Sequence, residues 1–328
     1  MSGQTTLTIG NVNYETQELM LKQSELLFYP ENPRVFSMLN GSGSTPDQEL
    51  IESTMRSMEH VKQLKISIKD NGGLIDPLIV KDRVVLEGNS RLAAYRILFD
   101  EDPLRWAQVK CTVLPSDFPE EAIFALLGQY HVAGKTNWSP FEQGGFLSRQ
   151  LESSGKTIEH ISKVLGISVS EANRVVRTYR FMRDHDDLTL KNWSYYEEYL
   201  KSQGINNYRK TSPKIDDTFV SLVKENKIKQ AVDVRNVLGV IAKNDSREAK
   251  SIMSDIIDGY IDMYEGFEEL QDTGKIGDCY KALTAFNKKI NDPAFEKKLA
   301  GEDLKQIEYQ LKQIKKRCER LLTKIKNQ

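Results

Sequence analysis

The sequence predicts a multidomain, mainly α-helical protein that begins with an α+β domain, and three observations support this class. Between Leu21 and Pro115, short apolar runs alternate with turn residues in the order strand, turn, strand, loop, helix. From Glu120 onward, apolar residues recur at helical spacing with little β signal. Near the C-terminus they follow a 3-4 repeat. At 328 residues the chain is long enough for two or three domains.

The N-terminal elements can be placed individually. A loop rich in glycine and serine (residues 40–46) precedes a predicted helix at about residues 47–70, which Asn71-Gly72-Gly73 should end. Two strands follow, at residues 77–80 and 84–86, joined by a polar turn. Glu87-Gly88-Asn89-Ser90-Arg91 then opens a helix over residues 92–98, and a strand at residues 109–114 closes the unit.

Composition excludes several classes of protein. With 46 Lys+Arg against 47 Asp+Glu, the formal net charge is −1, so any nucleic-acid surface must be local. No run approaches the roughly 18 apolar residues of a transmembrane helix, and the polar start lacks the order of a secretory signal. We therefore expect a cytoplasmic protein without a membrane partner.

Cysteine and histidine usage argues against redox and metal chemistry. The three cysteines are widely spaced, which fits reduced thiols. The four histidines share no metal-ligand spacing, so no metal site is predicted in the protein itself. These residues are Cys111, Cys279, Cys318, His60, His131, His160 and His185.

A helix-turn-helix pattern lies at residues 157–178. Thr157 and Ser168 are candidate helix caps, and Gly166 suits the turn between the two helices. From Thr157 to Arg183 there are five Lys/Arg and two acids, a local +3. An ordinary helical hairpin is the alternative. In the DNA-binding interpretation, the second helix presents polar side chains to base edges or phosphates, namely Ser168, Ser170, Asn173, Arg174 and Arg177.

The strand-to-helix turn at Gly88 is a candidate anion site. A helix N-terminus presents unpaired N–H groups and partial positive charge, and glycine lets a ligand approach the backbone closely. Arg91 lies in the first helical turn, where its charge opposes the helix dipole unless an anion is nearby. The alternative is a surface arginine beside a plain N-cap at Asn89 or Ser90.

Three segments in this order resemble one family. Asn32-Pro33-Arg34, the run from Gly73 to Val80 and the run from Glu87 to Tyr95 resemble the ParB/sulfiredoxin-type N-terminal domain of partitioning proteins. The helix-turn-helix follows where ParB proteins carry theirs, so the resemblance spans Leu21 to Arg183. It implies an α+β ParB/sulfiredoxin-like domain, then an all-α helix-turn-helix domain and a helical C-terminal region.

The resemblance implies a pocket for CTP, or another NTP, with Mg²⁺. It also implies that CTP closes a dimeric clamp on DNA. Gly88 and Arg91 match the family's Gly-Glu-Arg-Arg turn, but Asn89 replaces the glutamate and Ser90 the first arginine. His131 and Lys135 fall in a second, more divergent stretch. Sulfiredoxin-like members carry a reactive cysteine at the position of Asn89, so that chemistry is excluded. The expected nucleotide-binding residues are Gly88, Asn89, Ser90, Arg91, His131 and Lys135.

The C-terminal helix carries a heptad seam of three heptads. Its residues are Leu304, Ile307, Leu311, Ile314, Cys318, Leu321 and Ile325. The repeat either joins two copies or packs one helix on the preceding bundle. Residues 297–326 hold ten Lys/Arg and four acids, a local +6 that we interpret as a solvated face rather than a DNA surface.

The expected domains are residues 1–118 (nucleotide binding), 119–210 (DNA binding), 211–292 (helical bundle) and 293–328 (heptad helix). The expected function is that of a sequence-specific, nucleotide-gated DNA-binding homodimer, associated with nucleoid or plasmid, in partition or regulation. A partner ATPase and weak CTPase or NTPase activity are left open. The alternatives are a ParB-fold nuclease or NTPase, as in anti-phage defence, and a transcription regulator that needs no nucleotide.

Overall fold

A computed structural model of the chain describes residues 3–35, 46–132, 138–272, 283, 286–287, 290 and 304–326. Most of the predicted loop at residues 40–46, and Lys135, lie outside the described residues. The chain divides into two compact units, Met1–Trp193 and Ser194–Gln328. Within the described part, no helix has the length and apolar character needed to span a membrane.

The first unit is built on a six-stranded mixed sheet, in agreement with the predicted α+β class. The strand order is β1-β2-β6-β4-β5-β3. Neighbouring strands are antiparallel except in the pairs β4–β6 and β3–β5, which are parallel. The strands are β1 (Gly3–Ile9), β2 (Val12–Lys22), β3 (Leu27–Phe28), β4 (Leu78–Lys81), β5 (Val84–Glu87) and β6 (Gln108–Val113).

The hairpin of β1 and β2 was not expected from the sequence. Its two-residue turn, Gly10-Asn11, has positive φ at both positions (55° and 67°), as type I′ hairpins require. The predicted turn between β4 and β5 has the same property at Asp82 and Arg83 (φ 48° and 69°). Most side chains of β1 are polar and exposed, so the hairpin lacks the apolar alternation that marks a strand in the sequence.

Three helices pack on the sheet: α1 (Gln48–Ser57), α2 (Glu59–Asn71) and α3 (Asn89–Glu101). The single helix predicted over residues 47–70 is wrong, because Met58 is extended (ψ 134°) and separates α1 from α2. Met58 packs against the core, and the break lets both helices bury apolar side chains there. Gly72 ends α2 in the left-handed conformation (φ 72°), as expected.

The rest of the first unit is helical: α4 (Glu120–His131), α5 (Pro140–Ser153), α6 (Ile158–Leu165) and α7 (Val169–Asp184). Ser139 forms a capping box with Glu142 at the start of α5. Thr157 and Ser168 accept hydrogen bonds from His160 N and Glu171 N, and Gly166 ends α6 with φ 68°. The cap and turn residues identified in the sequence therefore occupy those positions.

Helices account for most of the described part of the second unit. They are α8 (Trp193–Lys201, which begins at the unit boundary), α9 (Gln203–Arg209), α10 (Ile215–Lys224), α11 (Ala231–Asp233), the π-helical Val234–Leu238, α12 (Gly239–Lys243), α13 (Arg247–Ile257), α14 (Met263–Asp272) and α15 (Leu304–Lys326). The polar residues 206–216 are partly helical, and Arg209 Nε lies 2.6 Å from Asp216 Oδ1.

Candidate functional site

A cavity of about 460 Å³ lies at the N-terminus of α3, within the first unit. Its walls come from the ends of β4 and β5, the segment before α1, the first turn of α3 and the end of α4. Residues separated by more than a hundred positions in sequence therefore meet at one place. They include Tyr29, Arg34, Asp76, Glu87, Gly88, Asn89, Ser90, Arg91, Tyr130, His131 and Trp138.

Gly88 makes the sharp turn from β5 into α3. Its φ is +98°, a backbone conformation that residues other than glycine rarely adopt. A Cβ at this position would lie 2.5 Å from Leu78 Cδ2, and Leu78 is fully buried. The expectation that Gly88 lets a ligand approach the backbone stays a prediction, because the group nearest to this position is the protein's own core.

The guanidinium of Arg91 is engaged by protein groups. It forms an ion pair with Glu87 and donates to the backbone oxygens of Asp76 (2.5 Å) and Pro77 (3.3 Å). Burial raises the pKa of the Glu87 carboxyl, and the ion pair with Arg91 opposes that rise. Arg91 thus holds the loop before β4 against the start of α3, which explains its place in a first helical turn without a bound anion.

Asn89 is buried, and its side-chain amide, like the Arg91 guanidinium, forms hydrogen bonds with backbone groups of the protein. Its Oδ1 accepts from Tyr29 N (2.9 Å), while its Nδ2 donates to Val85 O (2.8 Å). These bonds join the chain after β3 to the end of β5. Asn89 therefore orders the cavity wall through its side chain.

Ser90, Arg34 and His60 form a cluster that the sequence did not reveal as a unit. Arg34 NH1 donates to Ser90 Oγ (3.2 Å) and lies 3.3 Å from His60 Nε2, which is 2.9 Å from Ser90 Oγ. Because arginine only donates, a hydrogen bond from Arg34 to His60 Nε2 requires that this nitrogen is unprotonated. Burial lowers the pKa of His60, and the positive charge of Arg34 lowers it further. Arg34 Nε is also 3.9 Å from Glu142 Oε1.

His131 lines the cavity from the last turn of α4. Its ring stacks on Trp138 with the centroids 4.4 Å apart and the planes 13° from parallel. His131 Nε2 is 3.9 Å from Glu87 Oε1. The structure thus brings Gly88, Asn89, Ser90, Arg91 and His131 together around one cavity; Lys135 is outside the described residues.

The second candidate site is the surface of α7. Ser170, Asn173 and Arg177 are exposed, whereas Ser168 uses its hydroxyl to cap the helix. Arg174 NH2 lies 3.0 Å from Glu171 Oε1. The apolar residues between α6 and α7 are buried, including Ile161, Leu165, Ala172 and Val175.

The local positive charge of this region is partly neutralised. Arg183 NH1 lies 2.9 Å and Arg180 Nε 3.3 Å from the same carboxylate oxygen of Glu152 on α5. Burial raises the pKa of Glu152, but its bonds to Arg183 and Ser148 outweigh that effect and lower it. The local charge of +3 counted over residues 157–183 therefore overstates the positive charge available to a ligand, because Glu152 lies outside that segment.

Close packing joins the two candidate sites. A Cβ on Gly128 of α4 would lie 1.9 Å from Leu165 Cδ2 of α6, so the two helices meet at van der Waals distance. At the N-terminal end of α4, Glu121 Oε1 is 2.6 Å from His160 Nε2 of α6. The helix that carries His131 to the cavity is therefore the helix on which α6 rests.

The sequence did not reveal that Arg34 lines the cavity or that His60 contacts the cavity residues Arg34 and Ser90. Arg34 belongs to the Asn-Pro-Arg segment used for the family resemblance, so its motif was a usable signal. His60 sits on the amphipathic helix α2, where nothing in the local pattern separates it from a solvated histidine. Its proximity to Ser90, thirty positions away, is a tertiary property.

Comparison with known proteins gives weak matches. No protein-family model and no curated protein matches the sequence. The C2221 form of a Pnob8-like ParB-N domain matches with a TM-score of 0.42 and 13% identity, over 78% of this chain and 100% of that one. A second match is the C-terminally truncated chromosome-partitioning protein ParB from Caulobacter crescentus, complexed with CTP-γ-S. Its TM-score is 0.24 at 16% identity, and the match covers 63% of this chain and 97% of that one. At these TM-scores neither match decides the fold or the function of this chain.

Proposed function

We propose that this chain is a ParB-like DNA-binding protein whose N-terminal cavity binds a nucleotide, with CTP the first candidate. The observation that carries the proposal is the cluster of Arg34, His60 and Ser90 at the N-terminus of α3, in which Arg34 and Ser90 line a cavity of about 460 Å³ and His60 contacts both of them. Two nitrogen-bearing side chains and a hydroxyl from separate elements converge there on the first turn of a 13-residue helix. This combination suits the phosphates of a nucleotide.

In this proposal Arg34 and His60 replace Arg91 as the main phosphate ligands. Arg91 is engaged with Glu87 and two carbonyls, so it shapes the cavity. Protonation of His60 would release the hydrogen bond from Arg34, and both groups would then donate to an anion. Tyr130 and His131, which also line the cavity, are polar groups for the rest of the nucleotide.

The residues present offer limited support for Mg²⁺. Within the described part of the chain, no three His, Cys, Asp or Glu side chains are placed to hold a metal ion. Mg²⁺ that arrives with a nucleotide needs only one or two protein carboxylates besides the phosphates. Asp76 lines the cavity and fits that requirement, whereas Glu87 is engaged by Arg91. The ion would neutralise phosphate charge there.

The proposed DNA contact is the exposed surface of α7, through Ser170, Asn173 and Arg177, with Arg174 beside them. Packing of α6 on α4 at Gly128 and Leu165 supports a mechanical connection between the cavity and this surface. A clamp on DNA needs two copies of the chain, so the homodimer is part of the proposal, as is association with nucleoid or plasmid DNA.

Calorimetric titration of the full chain with CTP, ATP, GTP and UTP, with and without Mg²⁺ and DNA, tests the proposal. We expect one nucleotide to bind and Arg34→Ala to weaken it about 10- to 150-fold, because a hydrogen bond to a charged group contributes about 1.5–3 kcal/mol. The matched control is Arg56→Ala, since Arg56 pairs with Glu52 and Asp100 on the first unit and does not line the cavity.

Absence of binding by all four nucleotides would refute nucleotide gating and favour a transcription regulator that needs none. Release of a nucleoside diphosphate in the same samples would favour the NTPase alternative. The structural observation in favour of that alternative is the buried Glu87 carboxylate, 3.9 Å from His131 Nε2.

A further inference from the structure

Ser90 and His60 form a pair of the kind that activates a nucleophile. Ser90 Oγ lies 2.9 Å from His60 Nε2, and Arg34 NH1 lies 3.2 Å from the same serine oxygen. An unprotonated Nε2 accepts the hydroxyl hydrogen of Ser90, while the guanidinium donates to the oxygen. A base that holds the proton and a cation that faces the oxygen both favour the more nucleophilic, deprotonated form of a hydroxyl.

The three members of this cluster are held by different elements. Ser90 lies in the first turn of α3, His60 in the first turn of α2, and Arg34 in the segment before α1. Arg34 N donates to Asn32 Oδ1 (3.2 Å), which fixes the backbone at that point. Burial and the charge of Arg34 lower the pKa of His60, so the imidazole is kept in the neutral form that can take a proton.

The cavity side of Ser90 offers groups that stabilise a phosphoryl group. Ser90 and Arg34 both line the cavity. Gly88 is the N-cap of α3 and provides no side-chain cap, so the cap leaves the N–H groups of the first turn to a ligand. Negative charge that develops on a phosphoryl group beside Ser90 would meet these N–H groups and the Arg34 guanidinium. A hydroxyl, a base and anion-binding groups therefore converge on one oxygen atom.

We propose that Ser90 is a nucleophile that takes the terminal phosphoryl group of the bound nucleotide, with His60 as its general base. This inference rests on the proposed function, which supplies the nucleotide. Ser90 Oγ forms a bond to the terminal phosphorus while the bond from that phosphorus to its bridging oxygen breaks. The hydroxyl proton passes to His60 Nε2, and the electron pair of the broken bond leaves with the nucleoside diphosphate. The product is a phosphoserine at position 90.

The modification would occupy the site that a second nucleotide needs. A phosphoserine carries about 1.5–2 negative charges at neutral pH, and at Ser90 it lies at a helix N-terminus beside Arg34, where negative charge is stabilised. His60, protonated by the transfer, can donate to the new phosphate. Because Arg34 is then engaged, we expect the modified chain to bind nucleotide about 10- to 150-fold more weakly, as for the loss of Arg34 itself.

Incubation of the full chain with CTP, ATP, GTP and UTP radiolabelled on the terminal phosphate, with Mg²⁺, tests the transfer, and peptide mass spectrometry locates the label. We expect one phosphate per chain at Ser90 and none in Ser90→Ala. His60→Gln should transfer the label about 10²–10⁴ times more slowly, which is the usual contribution of a general base. Ser67→Ala and His160→Gln are the matched controls, since both residues are exposed in the first unit and do not line the cavity, and both variants should react at the wild-type rate.

A thiol at position 90 tests the activation without any nucleotide. Ser90→Cys in a background of Cys279→Ser and Cys318→Ser leaves Cys111 as the other cysteine, and Cys111 is buried. Iodoacetamide should alkylate position 90, because the thiolate is the reactive form of a cysteine. Adding His60→Ala should slow this reaction about 10-fold, although removal of the ring opens access to the thiol. A rate that His60→Ala leaves unchanged or increases would overturn the activation by His60.

The outcomes separate this inference from the proposed function. A chain that binds a nucleotide in calorimetry but gains no phosphate at Ser90 would refute the transfer and leave the proposed function standing. Absence of binding by all four nucleotides would refute both. A mass gain of a whole nucleoside monophosphate would contradict attack at the terminal phosphorus. Transfer to Ser90 releases one diphosphate per chain, so continued release that persists in Ser90→Ala would also count against it.

Discussion

Replacing Gly88 by alanine tests the account of how the cavity wall is built. Two costs apply: alanine at φ +98° is strained by about 1–3 kcal/mol, and its Cβ would lie 2.5 Å from Leu78 Cδ2. Leu78 is fully buried, so it cannot retreat into solvent, and overpacking of this kind costs about 1–3 kcal/mol. We expect Gly88→Ala to lower the free energy of unfolding by about 2–6 kcal/mol.

The measurement is urea unfolding followed by tryptophan fluorescence, which reports on the first unit because Trp106, Trp138 and Trp193 all lie there. Gly155→Ala is the matched control: its φ is +63°, and its Cβ would meet no described heavy atom within 4 Å. It should lose only about 1–2 kcal/mol from backbone strain. Equal losses in the two variants would refute the packing contribution of Leu78.

Two further predictions concern ligands. Because the folded state lowers the pKa of His60 through burial and Arg34, the apo protein should lose stability as pH falls below about 6.5, where the unfolded chain takes up the proton first. Nucleotide affinity should rise over the same pH range, since a bound phosphate favours the protonated ring. His60→Gln should flatten the pH profiles of stability and of affinity. An affinity profile that this variant leaves unchanged would contradict the assignment of His60 as a phosphate ligand. Arg177→Ala should weaken DNA binding by about 1–3 kcal/mol, or reduce its salt slope if the contact is to phosphate, whereas Arg180→Ala, which pairs with Glu152, should leave it unchanged in fluorescence anisotropy.

Much of the first unit could be predicted because its signals are local. The end of α2 at Gly72, the capping box at Ser139 and the turn at Gly166 each depend on residues within a few positions. The break at Met58 could not be predicted, since a continuous helical pattern crosses it and only packing against the core explains it.

The candidate site likewise combines features set by neighbouring residues with features set by distant ones. The turn at Gly88 was identified from its neighbours, but the roles of the side chains around it depend on distant partners. Asn89 binds Tyr29 and Arg91 binds the carbonyl of Asp76, so both shape the cavity. His60 contacts the cavity residue Ser90 only because α2 passes it. Residue type and spacing therefore located the site without assigning its ligand-binding groups.

The sequence by itself determined the helix ends at Gly72 and Gly166, the turn between β4 and β5 and the heptad repeat of α15, because each follows from backbone conformation and side-chain spacing within one segment. The tertiary structure alone decided which charges are engaged and which apolar face is left exposed. Asp255 attracts Arg320 and Lys324, so the basic side of α15 faces the bundle and its seam faces solvent. Such choices depend on groups far apart in the chain, whose distances only the folded structure sets.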